Sequence, residues 1–252
     1  MIFLLAGIVC LAFAVETLLG FGGTLVALSI GATWWPVDEL VDMLVPVNLV
    51  VSLYMCVRLR AFFEPRLFFL RVLPFILLGM ALGLLALPWL TAVAGLEAIL
   101  GGFLVMLASR ELSQSPAVSP EDDAVRPSSG NQYRLGVPIA FGMGGLIHSL
   151  LATGGPFIVL GLQPLRLSPE LQRVTLAALW LLLNALLIFW RFQNGLTTLQ
   201  NLEDSLWLLP GVVGGILLGE WLAVRVRGGS FRRLVWLVLL AAGIKLLLKA
   251  WA

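Results

Sequence analysis

Apolar residues run along this chain in blocks, at roughly 2–19, 24–34, 40–57, 67–89, 95–109, 135–152, 156–163, 171–192, 204–224 and 231–250. The longer blocks reach the ~20 residues that a helix needs to cross a hydrocarbon core of ~30 Å. Inside lipid the backbone must satisfy its own hydrogen bonds, so the blocks predict helices. One long polar stretch interrupts them. Residues 110–134 hold Ser113, Ser115, Pro116, Ser119, Pro120, Glu121, Asp122, Asp123, Pro127, Ser128, Ser129 and Gly130. That composition predicts a flexible linker. It separates a first membrane repeat, 1–109, from a second, 135–252.

Composition gives the same class. The chain is 60% hydrophobic and 12% charged, with a mean hydropathy of +1.01, against about 25% charged residues in soluble domains. The expectation is an all-α, polytopic helical membrane protein. Its net charge of +2 identifies no partner, and no basic patch with aromatics supports nucleic-acid binding. Cys10 and Cys56 lie in apolar blocks and form no CxxC pair, so they read as small buried hydrophobes. The N-terminus lacks a basic segment and a cleavage site, and reads as a membrane segment, not a signal peptide.

Two of the blocks are broken by glycines, 132 residues apart. The first break is Glu16-Thr17-Leu18-Leu19-Gly20-Phe21-Gly22-Gly23-Thr24. The second is His148-Ser149-Leu150-Leu151-Ala152-Thr153-Gly154-Gly155-Pro156. Further along, Pro74–Gly83 matches Pro210–Gly219 at an offset of 136, which also pairs Asn48 with Asn184. Three matches in one order indicate an internal duplication. Loop charges decide its sense. Loop 58–71 has four arginines against one in 191–204, while 90–95 has none against four in 225–233. The basic residues change sides, so the positive-inside rule inverts one copy. Each repeat then needs an odd number of crossings: a glycine-broken hairpin that returns to its own face, plus three transmembrane helices. This places thirteen Lys and Arg inside and three outside, with the linker cytoplasmic and both termini outside.

Glycine-broken membrane helices survive where protein or a wet cavity satisfies the freed backbone. Gly20, Gly22 and Gly23 permit positive φ and close approach. Helices restarting at Thr24 and at Pro156 leave N–H groups free, and those donors with the helix dipole favour an anion. Gly20, Gly22, Gly23, Thr24, Thr153, Gly154, Gly155 and Pro156 are therefore candidate substrate contacts, with Asn48 and Asn184 as paired amides. The alternative is that the glycines only pack helices closely and the amides only join them. Glu16 and His148 occupy equivalent positions at membrane depth, where ionisable groups are costly. They read either as a proton-coupling pair or as buried, satisfied residues. Thr17 and Ser149 are expected to bond back to their own helices. Arg173 reads as an anion-attracting residue or as a positive-inside anchor. The tryptophans, such as Trp34, Trp35 and Trp89, read as interface anchors, and Glu220 as interfacial.

Glu16–Thr24 and Thr153–Pro156, with Arg173 soon after, resemble the TauE/SafE family of sulfite-exporter-type permeases. The resemblance covers both halves. It implies an integral inner-membrane protein that moves small anions such as sulfite, sulfonates or related organosulfur acids. One departure is at Ala152, where the family pattern leads us to expect another glycine. The expected function is a secondary transporter of a small anion bound between the breaks, with no cofactor, no metal and no catalytic residue. Its partners are the anion and membrane lipid. Two other classes compete. An intramembrane enzyme would need a catalytic set, and neither HExxH nor GxSxG is present. A non-transporting assembly factor or receptor would not need two symmetric breaks.

Overall fold

The computed structural model describes residues 2–19, 21–113, 132–225 and 229–251, and among them every regular element is helical. Gly20 and most of the expected linker, residues 114–131, lie outside the described residues. The first half contains α1 (Ile2–Leu19), α2 (Gly23–Gly31) and α3 (Val37–Arg58). A π-helical turn (Leu67–Val72) then leads into α4 (Leu73–Ser113), which is broken at Gly95 with φ 67° and ψ 156°. The second half contains α5 (Gln132–Leu151), α6 (Gly155–Leu162), α7 (Pro169–Gln193), α8 (Leu199–Leu206), α9 (Leu209–Arg225) and α10 (Gly229–Trp251). Helix therefore extends into both ends of the 110–134 stretch.

Local chemistry sets the helix ends. Asp38 and Glu39 in the first turn of α3 and Arg58 in its last complement the helix dipole. Ser168 caps α7, accepting from the Leu171 N–H at 3.2 Å, with Pro169 next in sequence. Thr198 and Asn201 form a capping box at α8. The expected 204–224 block is split at Trp207 and Leu208, between α8 and α9, which bend by 46°.

Helix α3, the stretch Leu67–Trp89 and α7 are each long and apolar enough to span a membrane, as are α8 and α9 taken together. Helices α2 and α6 are not. Their nine and eight residues rise only ~12–14 Å at ~1.5 Å each. They fold back instead: Gly144 of α5 faces Ile158 of α6, and Phe141 faces Gly161 further on.

A two-fold relation organises the packing. Helix α1 packs on α9, and the equivalent α5 packs on the equivalent α4. The contacts repeat in register, with Gly215 against Cys10 matching Gly79 against Gly142, and Gly219 against Thr17 matching Gly83 against Ser149. Small residues let these backbones approach, as in membrane helix pairs generally. Helix α3 packs on its own counterpart α7. There Asn48 meets Asn184, and Asp42, before Asn48, meets Arg191, after Asn184. The two helices are therefore antiparallel about the asparagine pair. An axis crossing two spanning helices at right angles lies in the membrane plane, which makes the repeats inverted. The outward faces are apolar on both sides of the axis: Leu78, Leu82 and Leu85 on α4, and Val213, Leu217 and Trp221 on α9, are all exposed. In water such faces would be a liability; in a bilayer they meet lipid.

Candidate anion site between the two helix breaks

At the first break Gly22 takes φ 99°, a left-handed conformation suited to glycine, and turns the chain from α1 into α2. The N-terminus of α2 thereby comes back beside Glu16 on α1. Glu16 Oε2 accepts the Gly23 N–H at 2.9 Å. The seat is tight, because a Cβ on residue 23 would overlap this carboxylate oxygen. Asn48 of α3 completes the clasp. Its Nδ2 donates to Glu16 Oε1 at 2.9 Å and Oε2 at 3.2 Å, and lies 3.1 Å from Thr24 Oγ1. Asn48 Oδ1 in turn accepts from Ser52 Oγ and from Asn184 Nδ2, each at 2.9 Å. All five side chains are buried. Opposite-repeat amides thus meet at the two-fold axis, and their hydrogen bonds run toward the Glu16 carboxylate.

The second break is built differently. The left-handed residue is Ala152, with φ 51°, so the position that departs from the family pattern still adopts a glycine-like conformation. Gly154 has φ −94° and packs against Gly144. Gly155 starts α6 and faces Phe21 of the first break and Trp180 of α7. His148 is fully buried and stacks on Trp180, with ring centroids 5.5 Å apart and planes at 18°. Neither ring nitrogen of His148 has a hydrogen-bond partner, and neither does Asn184 Oδ1.

A void of about 10 Å³ lies between the breaks, touched by Glu16, Thr24 and Asn48 on one side and Thr153, Gly155 and Asn184 on the other. It is about large enough for one water. Beside it, sharing Gly22 and Leu25, is a cavity of about 250 Å³ that reaches Pro156, Arg110, Gln163 and Gln172. The far end of α7 is tied to the start of α3. There Arg191 Nε donates to Asp42 Oδ1 at 2.6 Å, the Thr197 hydroxyl donates to the same oxygen, and Arg191 Nη2 reaches the Asp38 carbonyl at 3.4 Å. Both members of this pair are buried.

The structure gathers most of the sequence candidates. Gly22, Thr24, Asn48, Thr153, Gly155 and Asn184 line the void, and Pro156 lines the larger cavity. Gly23 lies under the Glu16 carboxylate, and Gly154 packs away from it. Glu16 and His148 share no hydrogen bond; the asparagine pair lies on the path between them. Thr17 and Ser149 bond back to the carbonyls of Phe13 and Leu146 at 2.8 and 2.7 Å. Arg173 does not line either space, and Gln172 faces the cavity in its place. Glu220 accepts from Tyr54 at 2.6 Å and pairs with Arg58, so it ties α9 to α3. Three features were missed in sequence: Trp180 at the site, Arg110 on the cavity wall, and the Asp42–Arg191 pair. Among the described residues no group of three or more His, Cys, Asp or Glu is placed to hold a metal.

The profile of the sulfite exporter TauE/SafE family matches residues 4–246, across both repeats. No curated protein and no solved structure matches the chain.

Proposed function

The chain belongs to the sulfite exporter TauE/SafE family, a family of membrane transporters, and from that premise we propose that it is a secondary transporter of a small oxyanion. Sulfite, sulfonates and related organosulfur anions are the substrate class, and the site lies between the two helix breaks. The observation that carries this reading is the buried Glu16–Asn48–Asn184 cluster, wedged at the two-fold axis between the starts of α2 and α6. Helix N-termini at membrane depth offer free N–H groups and positive dipole ends to an anion, the arrangement seen where inverted repeats meet. No catalytic role is assigned.

The two ends of α7 correspond to the two sides of an alternating-access cycle. At its start the cavity with Arg110, Gln163 and Gln172 leads toward the site. At its end Asp42, Arg191 and Thr197 close the path. By the loop charges, the cavity side is cytoplasmic, together with the linker, and both termini are outside. The protein resides in the inner membrane, and rocking of one repeat on the other exchanges access. Glu16 and His148 are the groups proposed to couple a proton to anion movement, and Arg110 on the cavity wall is the residue proposed to attract the anion.

The test is counterflow in proteoliposomes with sulfite, small sulfonates and carboxylates, with and without a pH gradient. Saturable, trans-stimulated flux of sulfite or a sulfonate is the expected result. Absence of flux for every anion overturns the transport reading.

A further inference from the structure

The two helix starts are not equally free. At α2 the first N–H is already taken by the Glu16 carboxyl group, held at 2.9 Å and bonded through both oxygens to Asn48. At α6 the equivalent residue is His148, a neighbour of Asn184 with no hydrogen bond to the start of α6. A carboxylate on backbone donors at a helix start is chemically the kind of ligand the site is expected to take. The remaining void has space for about one water, and it is also lined by Asn184, whose buried Oδ1 has no partner. An unpartnered buried acceptor facing a void calls for a donor, and the void is of a size for one water to supply it.

We propose that Glu16 is a built-in competitor for the substrate: its carboxylate occupies the anion seat on α2 and must leave that seat when an oxyanion from the cavity enters. The inference rests on the transport reading above and names the residue that sets how tightly the anion is held. Two unit charges ~4 Å apart repel by ~1 kcal/mol in bulk water and by more at lower dielectric. The Gly23 N–H, already given to Glu16, becomes available to the substrate only when the carboxylate moves off it. Return of Glu16 to Gly23 expels the bound anion, so the same residue that weakens binding speeds release.

The experiment compares the wild-type protein with Glu16→Gln. Sulfite affinity is measured by calorimetry on the purified protein, and KM and maximal rate by flux in proteoliposomes. Glutamine keeps the shape and a neutral acceptor for the Gly23 N–H but carries no charge. The expected result is sulfite affinity at least ~10-fold tighter, with a lower KM and a lower maximal rate. Loss of a purely structural residue would weaken binding and slow transport together. If Glu16→Gln does not yield folded protein, Glu16→Asp shortens the side chain away from Gly23, and a smaller shift in the same direction is expected. Sulfite binding to the wild type with equal or weaker affinity in the variant overturns this proposal alone. Failure of both proteins to bind or move any tested oxyanion overturns the proposal together with the transport reading.

Discussion

Replacing Asp42 with Asn should cost this protein about 3 kcal/mol of stability or more. The carboxylate is 5% exposed and the Arg191 side chain 6%, with Nε and Oδ1 2.6 Å apart. The Thr197 hydroxyl uses the same oxygen, so one side chain ties the start of α3 to the end of α7 and to the turn before α8. Asparagine is isosteric and keeps one acceptor for Thr197 or Arg191, but it leaves the guanidinium buried without a countercharge. Breaking a buried ion pair from one side typically costs ~3–5 kcal/mol, and the remaining acceptor puts this case near the lower end. At ~1.4 kcal/mol per decade, the folded-to-unfolded ratio falls by ~100-fold or more. Removing both charges, in Asp42→Leu with Arg191→Met, should recover most of the loss, because an apolar pair of similar volume carries no desolvation penalty. The Arg58–Glu220 pair, with side chains 51% and 33% exposed, is the control. Glu220→Gln there should cost under ~1 kcal/mol. Equilibrium unfolding in mixed dodecylmaltoside and SDS micelles, followed by tryptophan fluorescence, reads all three. An Asp42→Asn protein within ~0.5 kcal/mol of wild type, or a double variant as unstable as the single, would contradict a stabilising buried pair here.

Ala152→Gly should stabilise the fold by ~1 kcal/mol, because φ 51° places the alanine Cβ in a left-handed conformation that glycine adopts freely; a lower melting temperature would contradict this. Gly79→Ala should destabilise the α4–α5 seam by ~1–3 kcal/mol, since its Cβ would overlap the Gly142 carbonyl, whereas a Cβ on Gly102 meets nothing within 4 Å and Gly102→Ala should leave stability near wild type. Both are read by the same unfolding assay. A cysteine placed at Ser119 should react with an impermeant thiol reagent only from the cytoplasmic side; labelling only from outside would refute the proposed orientation.

Helix positions and the repeat were legible because each depends on short-range pattern. Apolar run length places α3 and α7, and the two glycine breaks announce the folded-back α2 and α6. Even the inversion was readable, since loop arginines record the side on which each loop remains. The matching offsets of Asn48 and Asn184 were legible too, and the two side chains meet. Facing direction was not. Arg191 ends an apolar block and reads as a loop cation, yet the antiparallel crossing of α3 and α7 returns it to Asp42. Trp180 looks like one more membrane tryptophan until the α7 rotation stacks it on His148. Glu16 and His148 were correctly seen as equivalent. Their equivalence obscured the difference that matters, because the carboxylate bonds the start of the next helix while the imidazole does not. Ala152 shows the limit of residue type as a guide to conformation. The second break holds in a left-handed φ a residue that does not prefer it.

The central claim is that one oxyanion binds between the two breaks. Selenite, the heavier analogue of sulfite, scatters anomalously at its absorption edge. Diffraction from crystals of the protein grown with selenite would locate it directly. The expected result is a peak within hydrogen-bond reach of the N–H of Gly23 or Gly155 and next to Asn184. A peak confined to the Arg110 cavity or to the membrane-exposed face, with the space between the breaks empty, would contradict it.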